Sequence, residues 1–210
     1  KEYPAEVPYF VVPPEVATAY GEQPKELDVM FPTEDEHAIF PQSYKWYVAN
    51  GLRCKGNGET AMRRFADMAQ GHREPLTNGT AHQPDDRVEV ACPCPLLESG
   101  DCSQAANLMV LLPKVSLGGV YQIDTGSFHN IVRINSAIDY IRTMTGRISL
   151  VPLKLIRQEE EIQYEGKKAK HYLLQLVLNA NLDDVARLRD NARMIISRTE
   201  RLVLPAPVED

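Results

Sequence analysis

With 210 residues, 43% hydrophobic and 25% charged, the chain has the size and composition of one generous globular domain or two small ones. Its formal charge of −6 argues against a main affinity for phosphate backbones and favours a protein partner. No apolar run approaches the roughly 20 residues of a membrane helix, and the opening "KEYPAEVPYFVVPPEV" lacks the basic start and cleavage site of a secretion signal, so a cytoplasmic chain is expected.

The first stretch, to about Tyr47, carries Pro4, Pro8, Pro13, Pro14, Pro24, Pro32 and Pro41. Proline removes a backbone donor and fixes φ, which predicts short extended pieces and turns, with "ELDVMFP" the best strand. A glycine-rich turn is expected at "GLRCKGNGE" (51–59), a short helix at "TAMRRFADMAQ" (60–70) and a loop over 71–86. The segments "RVEVAC", "NLMVLLP" and "GGVYQIDT" then read as strands. Over 128–145, Ile131, Ile134, Ile138 and Ile141 recur at helical spacing, and Gly146 supplies a stop. Three more strands are predicted in "ISLVPLKLIRQ", "EEIQYEG" and "KHYLLQLVLN", the last two forming a hairpin through Gly166, Lys167 and Lys168.

From Leu182 the chain reads as helix, with an apolar stripe at Val185, Leu188, Ala192, Ile195 and Leu202. The expected fold is α+β: an antiparallel sheet or partial β-barrel with one internal helix, a C-terminal helix and a four-cysteine, metal-bound loop region. The expected organisation is a core domain over 1–180, with metal-binding loops at 51–102, then an amphipathic helix over 181–204 and a disordered tail at 205–210.

All four cysteines, Cys54, Cys92, Cys94 and Cys102, fall within one quarter of the chain. Zinc takes four tetrahedral thiolates at about 2.3 Å, and the glycines around Cys54 let the backbone fold tightly about an ion. A closed set of four leaves no position for a substrate, so a structural zinc is the expectation and a catalytic one is not. Disulfides, unrelated thiols and an iron–sulfur cluster stay as alternatives, although a Cys92–Cys94 bridge would be strained. His72 or His82 could replace one cysteine.

The tetrapeptide Asp124-Thr125-Gly126-Ser127 spells the start of an aspartic protease site. Such a site needs two aspartates sharing one proton, and the chain has a single copy with no later apolar-apolar-glycine partner. Entry into the following helix, capped by Asp124 or Ser127, accounts for it better.

Taken together, "PYFVVPPEV", "YGEQPKELDVMFP", "FPQSYKWY", "LRCKGNGE", "CPCPLLESGDC", "LMVLLPKV", "GGVYQIDTGSFHNI" and "GRISLVPLKL" resemble the recombination directionality factor family of temperate phages and integrative elements. The resemblance spans about residues 9 to 180, and Asp124-Thr125 belongs to its signature. It implies a non-enzymatic protein that binds a large serine integrase on its attachment-site DNA and switches it from integration to excision, with no strong DNA binding of its own. Such integrases carry a projecting coiled coil. The stripe of Val185, Leu188, Ala192, Ile195 and Leu202 could pack on one, or could equally cover its own sheet. Two rivals stay open. A phage single-stranded-DNA-binding or replication accessory protein would stack bases on Tyr44, Trp46, Tyr47, Tyr121 or Phe128. A metal-dependent hydrolase would need histidine and carboxylate ligands, and five scattered histidines give it little support.

Overall fold

A computed structural model describes residues 7–70, 75–76, 82–164 and 167–201. The fold is α+β with two antiparallel sheets. In chain order the elements are α1 (Pro14–Tyr20), β1 (Glu26–Val29), α2 (Glu36–Ile39), β2 (Gln42–Val48), β3 (Gly51–Gly56) and β4 (Thr60–Arg64). After a 3-10 helix (Phe65–Gln70) come β5 (Arg87–Ala91), α3 (Pro95–Glu98), β6 (Cys102–Leu112), β7 (Ser116–Thr125), α4 (Phe128–Thr145), β8 (Leu153–Tyr164), β9 (Lys167–Leu178) and α5 (Leu182–Arg201). One sheet has the order β1-β8-β9 and the other β5-β4-β3-β2-β6-β7. The antiparallel sheet expected from the sequence is present as two sheets, and among the described residues neither order closes on itself.

By contacts the chain divides into two interleaved units. The first comprises Lys1–Asp35, Met109–Tyr121 and Val132–Asp210, and the second Glu36–Leu108 and Gln122–Ile131. The three-stranded sheet lies in the first unit. There Leu27 opposes Leu155, which opposes Leu176, and Val29 opposes Leu153. Directly opposed residues share a face, so these side chains form one apolar surface, and each buried aliphatic stabilises by about 1.5–3 kcal/mol. The predicted stripe of α4 is buried at Ile131, Ile134, Ile138 and Ile141. Gly146, at φ +74, accepts the left-handed turn that ends the helix, and its N–H donates to Arg142 O at 2.8 Å.

Several local expectations are corrected. The proline-rich start contains α1, because Pro14 stands in the first turn, where a missing N–H costs nothing. Residues 51–56 form a strand rather than a turn, and 60–64 a strand rather than a helix. In "TAMRR", Ala61 and Arg63 alternate inward with a period of two, which a helical reading conceals. "ISLVPLKLIRQ" and "EEIQYEG" are not separate strands: β8 runs unbroken from Leu153 to Tyr164, paired along its length with β9. The turn joining them, and residues 202–210 with the expected tail, lie outside the described residues.

Candidate functional site

Strand registry gathers the cysteines in the second unit. Trp46 of β2 opposes Cys54 of β3 on one side and Cys102 of β6 on the other. Cys54 in turn opposes Arg63 of β4, and Arg63 opposes Val88 of β5. Opposed residues point to the same side, so Cys102, Trp46, Cys54, Arg63 and Val88 form a row across five strands. The segment after β5 brings Cys92 and Cys94 over this row. Its start is tied down by the Cys92 N–H donating to Glu59 O at 2.8 Å. Glu59 belongs to a turn fixed by Asn57, whose Oδ1 accepts from the N–H groups of Glu59 (2.8 Å) and Thr60 (2.9 Å).

All four cysteines line one cavity with Tyr44, Gly56 and Arg63, and the free space among them is about 10 Å³. Gly56 is required by this approach. A Cβ built there would lie 2.7 Å from Ala61 Cβ and 2.8 Å from Cys92 Sγ. None of the four cysteines is in a disulfide. Burial, opposed in part by Arg63, pushes the Cys54 thiol up. Burial and the neighbouring cysteines push Cys102 up to about 11. Among the described residues, no group of three or more His, Cys, Asp or Glu is set so that it could hold a metal ion as it stands.

Arg63 is the residue that sequence reasoning missed. It is 1% exposed, its guanidinium carbon lies 5.7 Å from the Trp46 ring centroid, and its Nη2 donates to Cys94 Sγ at 3.0 Å. Its Nε and Nη1 are buried without a hydrogen-bond partner. Burial acts to lower its pKa, but hydrogen bonds to Cys54 and Cys94 outweigh this and raise it. Of the histidines considered as substitute ligands, His82 packs on Phe65, 5.1 Å between ring centroids, away from the cysteine cavity. His72 lies outside the described residues.

Asp124 and Thr125 of the signature end β7, in the same unit. Asp124 Oδ1 accepts hydrogen bonds from Asn107 Nδ2 and, at 2.7 Å, from Gln122 Nε2. Helix entry falls to its neighbours: Ser127 Oγ accepts from the Asn130 N–H at 3.5 Å, and Thr125 Oγ1 from Asn130 Nδ2 at 3.1 Å. Asp124 is exposed, and both of these donors are side-chain amides.

The C-terminal stripe is placed in part. Val185 and Ala192 are buried and Leu188 is half-buried within the first unit. The side chain of Ile195, and Leu202 altogether, lie outside the described residues. Val185 also lines an open groove of about 500 Å³ with Tyr140, Met144, Leu176, Leu178 and Leu182. Leu182 is 82% and Tyr140 56% exposed. Of the aromatics considered for base stacking, Trp46 is core at 5% exposure, while Tyr47 and Phe128 are exposed. No helix among the described residues is long and apolar enough to cross a membrane.

No curated protein and no solved structure matches the chain significantly. The family comparison is positive: over residues 1–179 the chain matches, and so belongs to, the Gp3-like family, described as recombination directionality factor-like, which sets its role in DNA recombination alongside a recombinase.

Proposed function

We propose that the protein is a recombination directionality factor in the full sense. It binds a large serine integrase already seated on attachment-site DNA and shifts it from the arrangement that integrates to the one that excises. The observation that carries this reading is the family match, which runs through both units rather than one. The charge of −6 supports action through a protein rather than through the phosphate backbone.

On this reading the protein is not an enzyme. It is a ligand with different affinities for two integrase arrangements, and only that difference can move the equilibrium. Turning a 1:99 population into 99:1 takes a preference of about 10⁴-fold, or about 5.5 kcal/mol. An interface of ordinary size can supply that without any bond being made. For the docking face, the groove beside Val185 is the favoured ground, because it presents Leu182 and Tyr140 to solvent next to the α5 stripe. An amphipathic helix laid into such a groove is a common mode of recognition, and a projecting coiled coil offers one. Burial of Val185 and Ala192 supports a stripe that covers its own unit. The partner would then meet the groove rim rather than the seam.

A mobility-shift experiment tests the proposal, using the integrase encoded by the same element on its attachment-site DNA. A further retardation on adding this protein, seen only when integrase is present, is the expected outcome. Retardation of naked DNA, weakening steeply with salt, would replace the proposal with a nucleic-acid binder.

A further inference from the structure

We infer that Cys54, Cys92, Cys94 and Cys102 form a closed four-thiolate zinc centre, with Arg63 as its buried counter-charge. Arginine stays protonated in proteins, and Arg63 is 1% exposed with two nitrogens unpartnered. Among the described residues it makes no ion pair; it lines the cavity with the four cysteines, Tyr44 and apolar neighbours such as Leu97, and its guanidinium lies over Trp46. A buried charge without an opposite charge costs several kcal/mol. Hydrogen bonding to thiols leaves Nε and Nη1 without a partner, whereas thiolates would supply both acceptors and the opposite charge. Four thiolates on a divalent ion carry a double negative charge, and an adjacent guanidinium halves it. The unpartnered Nε–H and Nη1–H then become donors to ligand sulfurs, the outer-shell contacts that orient and tune a metal site.

The surroundings agree. Two ligands come from neighbours of the central strand β2 and two from one loop, so a single ion pins loop to sheet. The cavity that the four cysteines share with Tyr44, Gly56 and Arg63 has about 10 Å³ of free space, room for about one water-sized body and none for a substrate. Gly56 removes the Cβ that would otherwise fill the position beside Cys92 Sγ. The step is balanced simply: zinc enters as the divalent ion, four thiols release their protons to solvent, and nothing is oxidised or reduced. Arg63 Nη2 already contacts one of the four sulfurs, Cys94 Sγ, at 3.0 Å.

The test is metal content and thiol reactivity of the full-length protein, isolated without chelator. About one zinc per chain is expected, surviving gel filtration, with thiols that react with a disulfide reagent only as zinc is released. Cobalt exchanged for zinc should show the visible bands of tetrahedral sulfur ligation. Changing Arg63→Lys should keep the metal, while Arg63→Met should weaken zinc binding about 10–100-fold. A metal-free chain with four reactive thiols, and the same melting temperature with or without added zinc, would overturn the centre. So would disulfides found in the isolated protein. Iron in place of zinc would overturn the identity of the ion, and an Arg63→Met variant binding zinc at full strength would overturn the role given to Arg63.

Discussion

In the first unit the buried side chains Leu27, Val29, Ile134, Ile138, Ile141, Leu153 and Leu155 are all aliphatic and each 3% exposed or less. The cysteine-bearing face of the second unit is built differently: Trp46, Cys54, Ala61, Val88, Val90 and Leu96 make a small cluster around a buried arginine, with Cys92, Cys94 and Cys102 at its margin. Area explains the contrast. Long aliphatic side chains on a hairpin of two 12-residue strands bury enough surface to hold a sheet together. Short strands carrying cysteine, alanine and glycine bury less, and small cores of that kind are commonly reinforced by a metal or a crosslink. The lesson is that residues poor at filling space can be kept where they serve a different chemistry.

The comparison can be broken most severely by removing one sulfur. Changing Cys54→Ser should abolish zinc retention and open the second unit to proteases, because binding and folding of a metal site share one free energy of order 10 kcal/mol. Cleavage within 51–102 that spares the β8–β9 hairpin would show the effect confined to that unit, and an unchanged digestion pattern would deny it. Next in size, Ile141→Ala removes a fully buried side chain in α4 and should cost about 2–5 kcal/mol in urea unfolding. Its zinc content should equal that of the native chain. A loss of metal there would mean that the two cores are not separately built.

A smaller effect is expected at Glu34 in the first unit. Its carboxylate accepts from the N–H groups of Ile148 and Ser149, both at 2.9 Å, and from the Ser149 hydroxyl, with Arg147 Nε at 3.6 Å. Burial works to raise its pKa, but these hydrogen bonds and the Arg147 charge outweigh it and bring it below 4.5. A depressed folded-state value means stabilisation that is present above the unfolded value and lost as pH falls through the folded one. The contribution is therefore complete at neutral pH and fades below about 4.5. Glu34 is half exposed, so Glu34→Gln should cost only about 1 kcal/mol at pH 7 and nothing measurable in strong acid. An equal cost at both ends of the titration would remove the carboxylate from the account. Smallest for stability is Leu182→Glu at the groove rim, within about 0.5 kcal/mol. It should nonetheless weaken integrase binding at least about tenfold if the groove is the docking face, since a charge would enter an apolar contact.

Where periodicity is strong and the partner surface is aliphatic, the sequence was readable. Ile131, Ile134, Ile138 and Ile141 announce α4, and Gly146 its end. The 60–64 segment was not: methionine, alanine and arginine favour helix locally, and only pairing with β3 and β5 on both sides makes "TAMRR" a strand. That misreading hid Arg63, since in a helix nothing sets it opposite Cys54. The four cysteines could be grouped from their clustering alone. The convergence of Cys54 and Cys102 on Trp46 depends on registry, which no spacing in the chain reveals. Helix entry after Asp124 was legible, and Ser127 makes the capping contact, whereas the amide partner of Asp124, Asn107 on β6, comes from a separate strand.

The most direct test of the central claim is recombination itself. Purified integrase would be given DNA carrying the two hybrid sites that flank an integrated element, with and without this protein, and in parallel the pair of sites used for integration. The account predicts that the protein switches on recombination between the hybrid sites and suppresses integration, in proportion to its binding to integrase. Unchanged yields on both substrates, with an integrase shown to be active and the protein folded, would contradict it.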